Sequence, residues 1–343
     1  MPEGRGIRDW LTRGWHDGRS RAWLAPLAAA FALFAALRRL SYRYGLLASR
    51  DPGVPVVVIG NITAGGTGKT PLVIWLASQL RARGIAAGVV LRGHGGNAAQ
   101  PTLVRSDSAP AEVGDEAVII ARRTGCPVAV GRRRVAAARL LAGEGCVVVI
   151  SDDGLQHLAM RREVEIAVVD GARGFGNGAL LPQGPLRETP ARLRTVDAVV
   201  IHGGATTGIA AGLVAPLSMH LQVDALRSVR TDELIPPGAL RDARVHAVAG
   251  IGNPQRFFGL LRQLGCRPVE HPFPDHHPFT PADLAFAEQL PIVMTEKDAV
   301  KCRAFATDRM HYLQVSATLP DADAARLLQL VQGSLRNGER VHA

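Results

Sequence analysis

The chain has 343 residues, a length that predicts two domains, each able to bury its own core. The formal net charge is +10, and the first fifty residues carry much of it, with nine arginines against three acidic residues. Because this charge lies beside an apolar run and no nucleic-acid-binding motif is present, we expect no nucleic acid as partner. The four cysteines form no C-x-x-C pair, which favours core residues in a reducing compartment over disulfides or a metal site.

Residues 1–50 are predicted to form a basic and apolar helix on a membrane surface. The apolar run from Trp23 to Leu37 is shorter than the ~20 residues that span a bilayer. Flanking aromatic residues and arginines suit the headgroup region, and the arginines favour the cytoplasmic face of the membrane. A cleaved signal peptide is disfavoured, because Arg38 and Arg39 follow the run in place of a small-residue cleavage site. A helix packed on its own domain is the alternative.

The stretch VPVVVIGNITAGGTGKTPLVIWLASQL, Val54 to Leu80, predicts a strand, a glycine loop and a helix. Glycines without a Cβ let successive N–H groups point at an anion where a helix begins, so the loop is a candidate phosphate site. Lys69 would reach the β- and γ-phosphates, and the Thr70 hydroxyl would bind Mg²⁺. Thr63 replaces the usual first glycine of this motif. The predicted nucleotide-binding residues are Thr63, Ala64, Gly65, Gly66, Thr67, Gly68, Lys69 and Thr70.

Only three of the 40 Lys and Arg residues are lysines. One is Lys69 of the glycine loop, and the other two, Lys297 and Lys301, share one loop of the second half. A lysine retained in such an arginine-rich chain has a raised chance of being required as lysine, because the two side chains differ in shape and hydration. We therefore expect that loop to face a ligand.

Short apolar strands alternate with helical stretches beyond the glycine loop. This pattern predicts an α/β fold: a P-loop NTPase-like parallel sheet flanked by helices, followed by a second, smaller α/β lobe. The predicted domains are 1–50, 51–225 and 226–343. The predicted strands are Ala86 to Leu91, Pro127 to Val130, Cys146 to Ser151, Glu165 to Asp170, Ala198 to His202, Val245 to Gly250, Pro291 to Thr295 and His311 to Val315.

Two glycine-containing loops are candidate parts of a site at the carboxyl ends of these strands. The first, Arg92 to Gly96, has three glycines and would allow close approach of a ligand, although a surface turn explains it equally well. The second, Gly114 to Glu116, precedes a helical stretch. Its acids either favour the helix dipole or supply, in Asp115, a base for a substrate hydroxyl.

Asp152 and Asp153 follow the apolar run VVVI, which is the Walker B arrangement. With a phosphate loop upstream, the two carboxylates are predicted to bind Mg²⁺ together with Thr70, with solvated loop acids as the alternative. Gln156 and His157, which follow closely, would orient this cluster.

Two further loops carry candidate groups. Arg187 lies in the stiff segment LLPQGPLRE and would clamp a phosphate, unless it is an ordinary loop arginine. The segment FPDHH holds Asp275, His276 and His277 between prolines and aromatic residues. A neutral histidine beside a carboxylate can polarise a group or share a proton, and a metal pair is the alternative.

The motifs GNITAGGTGKTP, RGHGG, GDE, DDGLQH, GPLRE, FPDHH and TEKDAVK, in this order, resemble those of the tetraacyldisaccharide 4′-kinase family of lipid A biosynthesis. The resemblance implies a peripheral enzyme on the cytoplasmic face of the inner membrane, with ATP and Mg²⁺ as cofactors. It implies transfer of the γ-phosphate of ATP to the 4′-hydroxyl of a glycolipid, tetraacylated glucosamine disaccharide 1-phosphate, to form lipid IVA.

The same resemblance implies roles for individual residues. Thr63 matches the loop form of the family, Asp115 its proposed catalytic base and His276 the histidine that assists this base. Asp152 and Asp153 match its metal and phosphate cluster. The catalytic residues predicted from the pattern and the resemblance together are Asp115, His276, Lys69 and Arg187.

Two other functions remain open on the residues alone. A P-loop ATPase or GTPase that acts as a maturation or partitioning factor at the membrane would carry a base-recognition motif such as N-K-x-D, and TEKD is the nearest string. A membrane-bound nucleotide sensor would bind ATP and Mg²⁺ without transferring phosphate. The paired acids and the histidine loop argue against the sensor.

Overall fold

A computed structural model describes residues 14–15, 21–105, 107–203 and 215–342. Much of the predicted N-terminal segment before residue 21 therefore lies outside the described residues. The α-helices of the described chain are α1 Ala25–Arg43, α2 Lys69–Ala82, α3 Pro110–Val113, α4 Asp115–Thr124, α5 Arg134–Gly143, α6 Pro254–Gln263, α7 Glu296–Cys302 and α8 Asp321–His342.

The strands agree with the predicted ones to within a few residues, and four were not predicted: β3, β8, β9 and β11. The strands of the described chain are β1 Val56–Gly60, β2 Ala87–Leu91, β3 Thr102–Val104, β4 Val128–Val130, β5 Val148–Asp152, β6 Val164–Asp170, β7 Ala198–His202, β8 Leu217–Ser228, β9 Leu234–Ile235, β10 Arg244–Ala249, β11 Arg267–Pro272, β12 Ile292–Thr295 and β13 Met310–Thr318.

One mostly parallel sheet runs through both halves of the chain, in the order β11-β10-β12-β13-β8-β7-β6-β1-β5-β2-β4-β3, with β9 on β8. The long strand β8 joins the halves. It pairs in parallel with β7 from Leu217 to Met219 and antiparallel with β13 from His220 onward. Because most of the strands are parallel, their carboxyl ends lie along one edge of the sheet, where ligands bind in α/β folds.

The strands of the first half are buried on both faces. Val57 and Ile59 of β1 belong to one apolar cluster, and Val56 and Val58 belong to the cluster on the opposite face. Side chains alternate between the faces of a strand, so a strand covered on both sides is apolar throughout. This explains the continuous β-branched run in the sequence. As predicted, the four cysteines lie in the cores, one in each apolar cluster: Cys126, Cys146, Cys266 and Cys302.

The two halves of the chain share structure beyond the sheet. Helix α8 follows the second-half strands in sequence, yet its Leu327, Leu328 and Val331 belong to the same core as α2. The domain boundary predicted after residue 225 lies within β8. The division into two lobes therefore stays a prediction.

Helix α1 exposes most of its apolar side chains. Leu27, Leu33, Phe34 and Leu37 are each more than half exposed, whereas Ala28 is buried. The helical segment Ala22–Arg43 is long and apolar enough to cross a membrane, by length and composition alone. It extends beyond the apolar run from Trp23 to Leu37 on which the sequence-based prediction rested. An apolar surface of this size is typical of membrane association rather than of a helix packed on its own domain.

Candidate active site

A cleft of about 780 Å³ opens at the carboxyl edge of the sheet between the two halves. The glycine loop Ala64 to Thr70 lines it from the first half, and Asp275, His276 and Lys297 line it from the second. A cleft of this volume accommodates a small-molecule ligand. The loops that the sequence singled out separately therefore converge on one site.

The glycine loop has the backbone that its glycines permit. Gly65 and Gly68 have φ of 105° and 88°, in the left-handed region that favours glycine. Helix α2 begins directly after Gly68, with Lys69 as its first residue. Thr63 is buried and forms a backbone bridge with Leu186, so it ties the glycine loop to the loop that carries Arg187.

Lys69 is held in the cleft by two groups. Its Nζ donates to Asn61 Oδ1 at 3.1 Å and lies 3.4 Å from Asp153 Oδ1. Asn61 is fully buried and also donates to the Thr63 carbonyl at 2.7 Å. Sequence reasoning missed Asn61, although an asparagine directly after a buried strand was a signal for it.

Gly68→Ala is expected to destabilise the fold by roughly 1–3 kcal/mol, because φ is positive and a Cβ would lie 2.6 Å from His202 Nδ1. The free energy of unfolding in urea measures this effect. Gly66→Ala is the control, since a Cβ there meets nothing within 4 Å. Equal stability of the two variants would contradict the steric argument.

Asp115 and His276 meet across the two halves. His276 Nδ1 donates to Asp115 Oδ2 at 3.2 Å, and Asp115 Oδ1 accepts the Glu116 N–H at 2.8 Å. His276 lines the cleft and stacks on His94, with ring centroids 4.7 Å apart. Asp115 is only 4% exposed and lies behind His276. Of the two residues, the imidazole of His276 is therefore the one that a ligand in the cleft can contact.

Asp115 and His276 stabilise each other's charged forms. Burial raises the pKa of Asp115, but the hydrogen bond from His276 and the nearby Lys297 lower it more, so the net shift is downward. The hydrogen bond to Asp115 raises the pKa of His276, although burial opposes this. Asp115 is therefore ionised at neutral pH and favours a proton on the imidazole.

This pair makes a pH-dependent contribution to folding. Because the pKa of His276 is raised in the folded protein, the contribution is complete below the ordinary histidine pKa and is lost as pH rises through the raised value. In urea unfolding from pH 6 to 9, the stability advantage of wild type over His276→Asn should shrink as pH rises. Exposed His220→Asn, at a histidine outside the cleft, is the control for the general effect of replacing histidine by asparagine. An advantage that stays constant or grows with pH would contradict this assignment.

Lys297 fastens the second half to the first. Its Nζ lies 3.2 Å from Glu116 Oε1, 3.1 Å from Asp275 Oδ1 and 3.1 Å from His276 Nε2. Burial lowers the pKa of Lys297, but the surrounding carboxylates raise it above the ordinary lysine value. Lys301 instead contacts a buried aspartate of its own helix at 2.8 Å and does not line the cleft. Of the two lysines, Lys297 alone lines the cleft, and for Lys297 the expectation of facing a ligand stays a prediction.

The adjacent histidines of the FPDHH segment have different surroundings. His277 packs against Phe273 and Phe279, and its Nε2 lies 3.3 Å from Asp283 Oδ2. Only His276 of the two lines the cleft. The geometry does not support the alternative of a metal pair.

The two acids after β5 have different partners. Asp152 is buried, and its Oδ1 accepts no hydrogen bond from any residue that the structure describes. Burial and the nearby Glu116 raise the pKa of Asp152 to about 7. Asp153 contacts Lys69 and Arg187, and these cations lower its pKa although burial opposes them. Asp152 thus has an oxygen available for a cation, whereas Asp153 already contacts the cationic side chains of Lys69 and Arg187.

Arg187 lies in the cleft wall. Its Nη1 donates to both carboxylate oxygens of Asp153, at 3.0 and 3.1 Å, and lies 3.3 Å from Gln156 Oε1. It is therefore part of the acidic cluster and not an ordinary loop arginine. Burial and nearby arginines lower the pKa of His157 to about 4, so this cleft-lining histidine is neutral at pH 7.

Further arginines line the cleft, and sequence reasoning did not predict most of them. Arg134 is buried, and its Nη1 donates to the Asp153 carbonyl at 2.7 Å. Arg38 of α1, Arg92 and Arg132 also face the cleft. The cleft is thus suited to a ligand that carries several negative charges.

These features define the class of protein. A mainly parallel sheet, a glycine loop that leads into a helix through Lys69 and Thr70, and an unpartnered acid at the end of a neighbouring strand form a P-loop nucleotide site. The acid–base pair across the cleft from this loop is typical of a kinase, because a phosphoryl acceptor must lose a proton.

Comparisons with known proteins identify the family. The family model described as tetraacyldisaccharide-1-P 4′-kinase matches residues 20–332. The tetraacyldisaccharide 4′-kinase of Nitrosococcus oceani is 49% identical over 325 residues, which cover 94% of each chain. That of Methylobacillus flagellatus is 48% identical over 331 residues, covering 95% of this chain and 96% of the relative. The chain belongs to the tetraacyldisaccharide 4′-kinase family, and the family predicted from the motifs is confirmed.

A solved structure supports the same assignment. The crystal structure of the "apo" form of LpxK from Aquifex aeolicus in complex with ATP matches with a TM-score of 0.75 and 25% identity, over 92% of this chain and 99% of that chain. The predicted fold class, a P-loop sheet flanked by helices with a second α/β part, is confirmed. The chain is therefore a kinase of the lipid A pathway rather than a maturation GTPase or a nucleotide sensor.

Proposed function

We propose that this chain transfers the γ-phosphate of ATP to the 4′-hydroxyl of tetraacyldisaccharide 1-phosphate, which forms lipid IVA. One observation carries the proposal: the glycine loop lines the cleft from the first half of the chain, and His276, backed by Asp115, lines the same cleft from the second half. A phosphate donor and a hydroxyl acceptor bound there would meet between them. The relatives named above carry this activity in their names.

ATP would bind with its phosphates against the amides of the loop from Ala64 to Thr70. Lys69 and Arg187 both contact Asp153, which fixes two positive charges at the place where the transferred phosphoryl group would lie. Phosphoryl transfer depends on positioning and charge neutralisation more than on covalent chemistry. The Aquifex aeolicus relative was crystallised with ATP, which supports the choice of nucleotide.

The oxygen atoms that Lys69 and Arg187 leave available in the cleft are suited to Mg²⁺. Magnesium in kinases is held by one or two protein oxygens together with phosphate oxygens. The unpartnered Oδ1 of Asp152 and the hydroxyl of Thr70 would hold it, and when bound it would neutralise phosphate charge. No cluster of three or more His, Cys, Asp or Glu side chains able to hold a metal occurs in the described part of the chain, which agrees with a metal held largely by phosphate. Asp153 was predicted as a second metal ligand, and we assign it instead to orienting Lys69 and Arg187.

The hydroxyl of the glycolipid would approach from the side of His276. Asp115 is ionised and accepts from Nδ1 of His276, so Nε2 of the neutral imidazole would take the proton that the hydroxyl releases, and the carboxylate would stabilise the imidazolium that forms. Lys297 contacts the same Nε2 at 3.1 Å, and the substrate hydroxyl would replace it there. Because His276 already contacts Asp115 in this structure, bound ATP and glycolipid would fill the cleft and exclude water, which limits loss of ATP to hydrolysis.

The substrate would be taken from a membrane surface. The exposed apolar face of α1 would lie among lipid acyl chains, and the arginines that precede this helix in the sequence would contact anionic headgroups at the cytoplasmic face of the inner membrane. The polar cleft lies beside the carboxyl end of this helix, because Arg38 lines it. A glycolipid could therefore present its sugar while its acyl chains remain in the bilayer.

The test is transfer of labelled phosphate from ATP to purified tetraacyldisaccharide 1-phosphate in mixed micelles. We expect label in a product that carries phosphate at the 4′ position. Addition of EDTA should reduce transfer by at least about 100-fold, and excess Mg²⁺ should restore it. Hydrolysis of ATP at a rate that the glycolipid does not change, with no labelled lipid, would contradict the proposal.

A further inference from the structure

Helix α1 contacts the catalytic loops directly through two consecutive arginines. Arg38 Nη1 donates to the Gln156 carbonyl at 2.9 Å, and Arg39 Nη2 forms an ion pair with Glu188 Oε2. The same helix exposes Leu33, Leu37 and other apolar side chains on its open face. One helix thus combines a lipid-facing surface with contacts to the loops of the active site.

The contacts continue from Arg39 to the phosphate-binding lysine. Glu188 Oε1 accepts from Gln156 Nε2 at 2.8 Å, and Gln156 Oε1 lies 3.3 Å from Arg187 Nη1. Arg187 contacts Asp153, which in turn lies 3.4 Å from the Nζ of the lysine. A continuous set of side-chain contacts therefore connects Glu188 to Lys69, and the ion pair of Glu188 with Arg39 connects this set to α1.

The ion pair with Arg39 is not required to satisfy Glu188. Its Oε2 also lies 3.4 Å from Nε of Arg192, and both side chains are only 8% exposed. Arg39 is 42% exposed, and an ion pair of such a residue contributes little to folding. Loss of Arg39 should therefore remove the contact of α1 with Glu188 without unfolding the protein.

We propose that Arg39 and Glu188 are positioning residues that align Arg187 with the membrane-bound helix. The proposal rests on the proposed function, because the role of Arg187 at the transferred phosphate belongs to that function. Small displacements of a positioned group have large effects on rate. Lipid would fix the depth of α1 in the membrane surface. Through Arg39 and Glu188, the helix would then hold Arg187 at the distance from the bilayer at which the sugar of the substrate enters the cleft.

The experiment compares variants of the full chain on the glycolipid in vesicles of phosphatidylethanolamine and phosphatidylglycerol. Arg39→Ala and Glu188→Gln are each expected to lower kcat about tenfold, with the Kd for ATP unchanged within about twofold. Arg39→Lys should restore most of the rate. Arg43→Ala removes the same charge from the exposed end of the same helix and should retain the wild-type kcat.

The double variant Arg39→Ala with Glu188→Gln separates coupled from independent roles. Residues that act through one contact are non-additive, so we expect the double variant to be no slower than the slower single variant within about twofold. Losses that multiply would overturn the proposal. Equal kcat for Arg39→Ala and Arg43→Ala, or a change confined to the KM for lipid, would also overturn it. If the wild-type chain transfers no phosphate at all, the proposed function fails together with this one.

Discussion

Lys69→Ala is expected to lower kcat/KM for ATP by about a thousandfold. Its Nζ is fixed by Asn61 Oδ1 at 3.1 Å and by Asp153 at 3.4 Å, so its charge is positioned before the nucleotide binds. Preorganised charges aimed at a transferring phosphoryl group contribute on this scale. Steady-state kinetics and titration of ATP binding, measured on the same preparation, give the loss in turnover and in affinity separately.

Lys69→Arg tests whether shape matters as well as charge. The guanidinium is larger and planar, and the space between Asn61 and Asp153 accommodates a compact ammonium group, so we expect a loss within about tenfold of that for alanine. Arg83→Ala is the charge-removal control, because this exposed arginine lies just beyond the far end of α2. Wild-type turnover and affinity in Lys69→Ala would refute the assignment of the glycine loop to phosphate.

The strands that the sequence revealed are those buried on both faces. β1, β2 and the first three residues of β5 are apolar runs because helices cover the sheet on each side. β8 was not predicted, because its middle residues alternate between half-buried and exposed positions and its main partner, β13, lies far along the chain. A strand whose stability comes from a distant partner leaves little local signal.

The site was predictable where a residue type coincides with the end of a strand or the start of a helix. Asp152 ends β5, whereas Lys69 and Asp115 begin α2 and α4, and each of the three lies at or directly behind the cleft. The different roles of the two neighbouring acids could not be predicted, because they depend on which side chain meets Arg187 and which remains unpartnered. In a chain this rich in arginine, no sequence pattern marked Arg38, Arg132 and Arg134 as residues of the cleft, although Arg134 is buried there.

Asp115→Asn is expected to lower kcat by about 10²–10⁴-fold while the Kd for ATP stays within about twofold of wild type. Asparagine preserves the volume of a side chain that is 4% exposed but removes the charge that holds the His276 Nδ1 proton. The variant should therefore fold and bind nucleotide, because the glycine loop that would bind ATP lies elsewhere in the cleft wall. Single-turnover transfer to the glycolipid, together with ATP titration, separates the two effects.

His276→Asn and the double variant Asp115→Asn with His276→Asn show whether the two residues act as one unit. Groups that hand on a single proton are strongly non-additive, so removing both should cost little more than removing Asp115 alone. Glu112→Gln is the control, an exposed acid three positions before Asp115, and should retain the wild-type kcat. If Asp115→Asn kept the wild-type rate while His276→Asn lost it, the imidazole alone would be the proton acceptor. Equal retention by both variants would remove the pair from the mechanism and leave charge neutralisation by Lys69 and Arg187 as the source of catalysis.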